Sequence, residues 1–200
     1  MKNTNIKTLD YYNQNADQFV KGTVSVDFRK TQDRFLGKLS GIRVLDFGCG
    51  SGRDTKYFIE AGYDVVATDG SEKLCKSASE YTGIDVRQML FQELDEIDRY
   101  DGIWACSSIL HLPKEELEDV FVRMTRALCL NGIIYTSFKY GTFEGERNGR
   151  FFTDFTIDTF EDFIKNTNNI SIEDYWITGD VRPGRENEQW LNLILRKTSS

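Results

Sequence analysis

The residues with the most chemistry to offer form one run, Asp46-Phe47-Gly48-Cys49-Gly50-Ser51-Gly52, directly after the apolar Val44-Leu45. Glycines that close a buried strand let the backbone turn sharply and bring its N–H groups against a ligand, and the following helix adds free amides of its own. Such a loop alone suits several nucleotides, since the dinucleotide fingerprint G-x-G-x-x-G occupies the same turn of a sheet. Here the third glycine, Gly52, comes one position early. Asp46 would also place a carboxylate where a dinucleotide brings its pyrophosphate, which disfavours that ligand and favours a cationic one.

A second acidic residue, Asp69, ends the apolar run Val65-Val66-Ala67-Thr68 and precedes Gly70-Ser71. An acid at this point can accept both hydroxyls of a ribose. The competing role is a cap on the helix that starts near Ser71. His111, the only histidine, follows Ser107-Ser108-Ile109-Leu110 and is either a general base or a residue that closes a loop. Lys139, Arg150, Arg182 and Arg185 fall after strand-like segments, where they would bind an anion if gathered at one mouth and would be solvated charge if not. Tyr11, Tyr12 and Trp104 offer aromatic faces to a cation or pack in the core.

These residues need elements to position them. From residue 43 onward short apolar runs alternate with amphipathic stretches, the pattern of parallel strands joined by crossover helices. Strands are expected over 43–47, 64–68, 85–88, 100–106, 132–138, 170–177 and 190–195, and helices over 54–61, 72–81, 114–128 and 157–164, with Gly62 and Gly83 at helix C-caps. The connection 178–189 is too short and polar for a crossover helix, so the final strand pair is expected to be antiparallel. Two helices, 9–20 and 27–39, precede the sheet as a candidate lid, and 140–150 reads as the one long loop.

Composition bounds the answer further. Two hundred residues, 40% of them hydrophobic and only two of them proline, make one globular domain rather than a disordered or fibrous chain. A net charge of −7 repels phosphate backbones and disfavours a nucleic-acid partner. The polar N-terminal residues hold no apolar signal core and no run is long enough to cross a bilayer, so a cytoplasmic protein is expected. Cys49, Cys75, Cys106 and Cys129 show neither metal-site spacing nor a C-x-x-C pair and read as reduced thiols, with no metal expected.

The runs Val44 to Gly52, Thr68-Asp69-Gly70-Ser71 and Asp101-Gly102-Ile103-Trp104-Ala105-Cys106 resemble the class I S-adenosylmethionine-dependent methyltransferase superfamily, a likeness that covers roughly residues 9 to 140. Tyr11-Tyr12-Asn13-Gln14-Asn15-Ala16 and Gly149-Arg150-Phe151-Phe152-Thr153-Asp154 are further similar to small bacterial members often labelled tellurite-resistance-like. The resemblance implies an α/β, Rossmann-like, doubly wound seven-stranded sheet in the order 3-2-1-4-5-7-6, last strand antiparallel, with helices on both faces. It implies S-adenosyl-L-methionine as cofactor, with Asp46, Gly48, Cys49, Gly50 and Gly52 along its methionine part, Asp69 and Gly70 at the ribose, and Ala105 and Cys106 below the sulfonium. Met89-Leu90-Phe91 stands where many members carry a Gly-Asp pair at the adenine, so Leu90 and Phe91 are expected to form an apolar slot. Tyr12 is expected over the cofactor, and Lys139, Trp104, Arg150 and Arg182 at a small anionic or thiol-like acceptor. The division expected is one domain over 1–200, with 1–40 as lid, 41–138 as cofactor-binding core and 139–200 as substrate-side loop and terminal strands, in a monomer or homodimer. The rival reading is a non-catalytic module that binds S-adenosylmethionine as a sensor or partner protein.

Overall fold

The computed structural model describes residues 3–182, 184–185 and 187–199, with side chains from residue 6 onward. Three helices come first, α1 (Asn3–Gln14), α2 (Ala16–Thr23) and α3 (Arg29–Leu36). The alternating part follows as β1 (Arg43–Phe47), α4 (Arg53–Glu60), β2 (Asp64–Asp69), α5 (Glu72–Thr82), β3 (Arg87–Gln88), β4 (Tyr100–Ala105), α6 (Lys114–Ala127) and β5 (Leu128–Lys139). A short hairpin of β6 (Glu144–Arg147) and β7 (Arg150–Thr153) leads to α7 (Ile157–Ile164), β8 (Ile170–Gly179) and β9 (Gln189–Lys197).

One sheet runs β3-β2-β1-β4-β5-β9-β8, which is the expected order once the separate β6–β7 hairpin is set aside. Strands β1 to β5 pair in parallel, and β9 enters antiparallel between β5 and β8. Both faces of this sheet are covered, so its central strands are apolar on each side, as parallel strands usually are. Alternate residues supply the two faces. Leu45, Phe47, Ile103, Ile134 and Phe138 pack with Leu117, Val120, Phe121 and Met124 of α6 and Phe160 of α7. Val44, Trp104, Ile133, Tyr135 and Ile194 pack instead with Phe35 of α3 and Phe58 of α4. Leu117, Val120, Phe121 and Met124 are fully buried. Each side chain of this kind contributes about 1.5–3 kcal/mol by leaving water, so the three-and-four spacing of α6 is what fixes it over the sheet.

The chain order reverses between β1 and β4, opening a crevice at the carboxyl ends of the strands, where doubly wound sheets bind ligands. Two segments around that crevice differ from expectation. The helix expected over 9–20 is two helices, because Asn15 leaves helical geometry (φ −110°, ψ 16°) and its Nδ2 donates to the Tyr11 carbonyl at 2.8 Å. A short amide side chain competes with the helix ladder in this way. Similarly α3 stops at Leu36, with Gly37 as its C-cap, short of residue 39.

The second correction is the long loop expected over 140–150, most of which is the β6–β7 hairpin. Arg147 faces Arg150 in register, and Asn148 (φ 50°) and Gly149 (φ 77°) turn between them. Asn-Gly with both φ values positive is the favoured two-residue hairpin turn, so the signal stood in the sequence. The hairpin docks on α1: Thr8 Oγ1 accepts from the Phe151 amide at 3.2 Å, and Lys7 pairs with Glu146 at 2.9 Å. Among the described residues no helix is long and apolar enough to cross a membrane. All four cysteines are unpaired.

Candidate functional site

The glycine loop is held by backbone bonds. As β1 ends, the amides of Gly48 and Cys49 both donate to the Thr68 carbonyl at 2.9 Å, which ties the loop to the end of β2. Gly48 and Gly50 have φ of 86° and 56°. A Cβ on Gly48 would lie 2.5 Å from that of Ser108, and one on Gly50 would lie 2.9 Å from the Phe19 ring. Both positions therefore require glycine for conformation and for space.

Asp69 stands beside this loop and is held by it. Its Oδ2 accepts from the Gly50 amide and its Oδ1 from the Ser71 amide, both at 2.9 Å. Ser71, not Asp69, is the N-cap of α5, its Oγ accepting from Leu74 N. Burial raises the Asp69 pKa above the usual carboxylate value, and the amides of Ser71, Gly50 and Gly70 pull against that rise. Each oxygen keeps a lone pair beyond the bond it accepts, so the carboxylate can still take hydroxyl donors.

The crevice above the loop is a cavity of about 220 Å³. Gly48, Cys49, Gly50, Asp69 and Gly70 line one end, with Leu90, Phe91 and Cys106 beside them. Phe91 meets Phe47 edge-on with ring centroids 4.9 Å apart. Tyr12, His111, Lys139, Arg150, Arg182 and Arg185 line the rest of the same cavity, so the fold brings together residues from both α1 and the late part of the chain. Burial pushes the Cys106 thiol up to about 12, with Asp54 adding to it.

Four expected site residues lie off the cavity lining. Asp46 is 2% exposed and faces α4, where the Thr55 hydroxyl donates to its Oδ2 at 2.5 Å. Burial first and neighbouring Asp54 second push its carboxyl well up, so its repulsion of a pyrophosphate is weaker than a free carboxylate's. Register places Trp104 beside Asp46 on that same face. There the indole is fully buried, stacks on Tyr135 at 4.0 Å and donates to Asp54 Oδ2 at 2.9 Å, which removes it from the acceptor lining. Ala105, one position on, points into the opposite core. Gly52 is the N-cap of α4, where a Cβ would meet Ala78 and Thr82 of α5, so it sets helix packing.

At the other end, three side chains from distant segments form one chain of bonds. His111 Nδ1 lies 2.7 Å from the Phe151 carbonyl, which can only accept, so Nδ1 carries the proton. Nε2 then accepts from the Tyr12 hydroxyl at 2.8 Å, and that oxygen in turn accepts from Arg150 Nη1 at 3.3 Å. Burial, reinforced by Arg150 and Arg147, lowers His111 to about 3, with the Phe151 bond opposing. Burial likewise raises Tyr12. The imidazole is thus a neutral prop for Tyr12 with both nitrogens engaged.

The other cations of the lining are paired. Arg53 forks onto Asp54 at 2.8 and 2.9 Å, Arg182 onto Asp180, and Lys139 bonds Glu188. Burial works against the charge of Asp180, but the bonds from Arg182 and Trp190 outweigh it and hold its pKa at about 2. Arg185 stands at the exposed rim, 3.9 Å from Glu188.

Sequence reasoning missed several lining residues, including Arg53, Ser107, Asp180 and Asn192. Arg53, next to the last glycine of the loop, was within reach of a local reading, as was Phe19, which shares nearby helix faces with Tyr12 and lines the cavity. Asp180 and Asn192 were not, because β8 and β9 meet the cavity only through sheet pairing.

Residues 44–132 match the family model described as a methyltransferase domain. The ubiquinone biosynthesis O-methyltransferase of Rhodopseudomonas palustris (strain TIE-1) is 32% identical over 82 residues, which are 38% of this chain and 32% of that protein. The chain thus matches about a third of the length of that curated relative. Among solved structures, the 1,6-didemethyltoxoflavin-N1-methyltransferase of Burkholderia thailandensis, with 1,6-didemethyltoxoflavin and S-adenosylhomocysteine bound, has a TM-score of 0.72 at 22% identity, over 96% of this chain and 85% of that one. TehB from Haemophilus influenzae has a TM-score of 0.71 at 18% identity, over 92% and 67%. At these identities the structural likeness speaks for the fold.

Proposed function

We propose that this protein, whose residues 44–132 match the methyltransferase-domain model and whose strand order is that of the class I S-adenosylmethionine-dependent fold, transfers a methyl group from S-adenosylmethionine to a small anionic or thiol-like acceptor. The observation that carries this reading is the Asp69 carboxylate, held by the Gly50 amide at the mouth of a crevice where the strand order reverses. The residues present fit the group. Gly48 and Gly50 leave a backbone cradle that side chains would fill, and Asp69 has lone pairs left for the two ribose hydroxyls. Leu90 and Phe91 would flank the adenine, and Cys106, directly after β4, would lie below the reacting centre.

When bound, S-adenosylmethionine supplies a methyl group activated by its sulfonium. The chain's own contribution is to hold the acceptor in line and to exclude water. Tyr12, Phe19 and Leu9 of the lid close over Gly50 and Gly70 and do the latter. Among the described lining residues other than Asp69, which this reading gives to the ribose, no side chain stands ready to take a proton. His111 has both nitrogens occupied, Asp54 and Asp180 are held by arginines, and Cys106 and Tyr12 are pushed toward their neutral forms. An acceptor that arrives already deprotonated suits this site, since it needs only positioning. The unpaired cysteines fit work in the reducing cytoplasm.

The test is a thermal-shift series followed by a turnover screen. S-adenosylmethionine at a hundred times its Kd adds about 2.7 kcal/mol, which raises the melting temperature by about 5 to 10 °C for a domain of this size. Incubation with pooled small carboxylates and thiols then yields S-adenosylhomocysteine. A shift without turnover on any pool leaves a binding module, and no shift with the donor sinks the reading altogether.

A further inference from the structure

Of all the cations lining the cavity away from its rim, Arg150 alone forms no ion pair with a carboxylate among the described residues. Its guanidinium lies 4.5 Å from the Tyr11 ring centroid, 5.1 Å from that of Phe152 and 5.7 Å from that of Tyr12. Its Nε is buried with no hydrogen-bond partner, and the Nη edge carries only the bond to Tyr12 Oη. The group is therefore fixed by aromatic faces, stripped of water on one edge and left with donors on the other.

That arrangement selects by charge. One uncompensated cation balances one negative charge, and a guanidinium edge presents two parallel donors that match a carboxylate. A dianion would bring a second charge with no partner against the negative π-faces of Tyr11, Tyr12 and Phe152. It would also lose more hydration on entry than a monoanion. Phe152 packs against the guanidinium, and Leu110, Leu112, Val181 and Trp190 add apolar surface to the same cavity. Such walls reward burial of a hydrocarbon body attached to the anion.

We propose that Arg150 is the anchor of an acceptor subsite for a singly charged carboxylate borne on an apolar body, and that phosphorylated and other doubly charged compounds are rejected there. Tyr12 is a positioning residue for this subsite. His111 holds its hydroxyl hydrogen, which leaves the Tyr12 oxygen lone pairs toward Arg150 and fixes the angle of the guanidinium. The inference rests on the acceptor half of the proposed function and stands apart from its donor half.

The experiment titrates the whole protein calorimetrically at pH 7.5 with benzoate, acetate, phenyl phosphate and benzyl alcohol, each with and without saturating S-adenosylhomocysteine. Benzoate is expected to bind at least about tenfold tighter than each of the other three, a difference of about 1.4 kcal/mol. Arg150→Gln is expected to abolish that preference while benzyl alcohol binding stays unchanged, and Arg150→Lys to restore only part of it. Equal or tighter binding of phenyl phosphate, benzyl alcohol or acetate by the wild-type protein overturns the proposal. So does benzoate binding that survives Arg150→Gln. If S-adenosylhomocysteine binds and benzoate does not, the subsite fails alone; if benzoate binds and S-adenosylhomocysteine does not, the donor reading fails and the subsite stands.

Discussion

The donor end of the cavity is made of neighbours in sequence and the acceptor end of strangers. Between residues 46 and 71 one strand, one loop and the next strand supply the glycine backbone, Asp69 and the amides that hold it. The acceptor end needs Tyr12 from α1, His111 from the turn after β4, Arg150 from a hairpin and Asp180 from the connection after β8. A site built from backbone is fixed by the sheet and tolerates changes of neighbouring side chains. A site built from a relay of side chains depends on every member keeping its protonation state and its place.

Acid should therefore break the acceptor end first, with the largest effect. His111 is lowered to about 3 in the folded chain, against about 6.5 for a free imidazole, so the unfolded chain binds a proton that the folded one refuses. Stability is full above pH 6.5 and falls as pH drops toward 3, by up to about 1.4 kcal/mol per unit from this residue. Urea midpoints between pH 7 and pH 4 measure it. His111→Gln, though less stable at neutral pH, should show a shallower decline; an unchanged slope would mean that His111 is not the group responsible.

Next in size is Asp69→Ala, which should cost about 1.5 to 3 kcal/mol of S-adenosylhomocysteine affinity, the range for a hydrogen bond to a charged group. Benzoate binding should be untouched, since no acceptor-end residue bonds to Asp69. Loss of both affinities together would show that the two ends are coupled and would blur the contrast drawn above.

Gly50→Ala tests the same end through the backbone. A left-handed φ of 56° costs an L-residue about 1 to 2 kcal/mol, and the added methyl presses on the Phe19 ring of α2. Melting temperature and donor affinity should both fall.

The smallest effect is expected from Trp104→Phe. This removes one bond to Asp54, which keeps those from Gln32 and Arg53. Stability should drop by about 1 kcal/mol, with donor and benzoate affinities unchanged; a lost affinity would return Trp104 to the site.

The same contrast decided what could be read from the amino-acid sequence. Strand order, the glycine turn and Asp69 were legible because parallel strands, crossover helices and a loop that needs positive φ leave local patterns. Trp104 and Asp46 were misplaced because β4 and β1 are buried on both faces, so apolarity gave no hint of which residues point into the crevice. The β6–β7 hairpin was passed over although Asn148-Gly149 announced it. The pairing of Lys139 with Glu188 was hidden for another reason: it depends on how the connection between β8 and β9 folds, and without it Lys139 looks equal to Arg150. Arg182 pairs with Asp180 only two residues before it, a local signal that was passed over.

The account turns on a donor held at the glycine loop by Asp69. Calorimetric titration of S-adenosylhomocysteine into the wild-type and Asp69→Ala proteins tests it most directly. One molecule bound per chain, with the variant weakened about 10- to 150-fold, a range that matches the cost given above, is the expected result. No binding to the wild type, or equal affinity in both proteins, would contradict it.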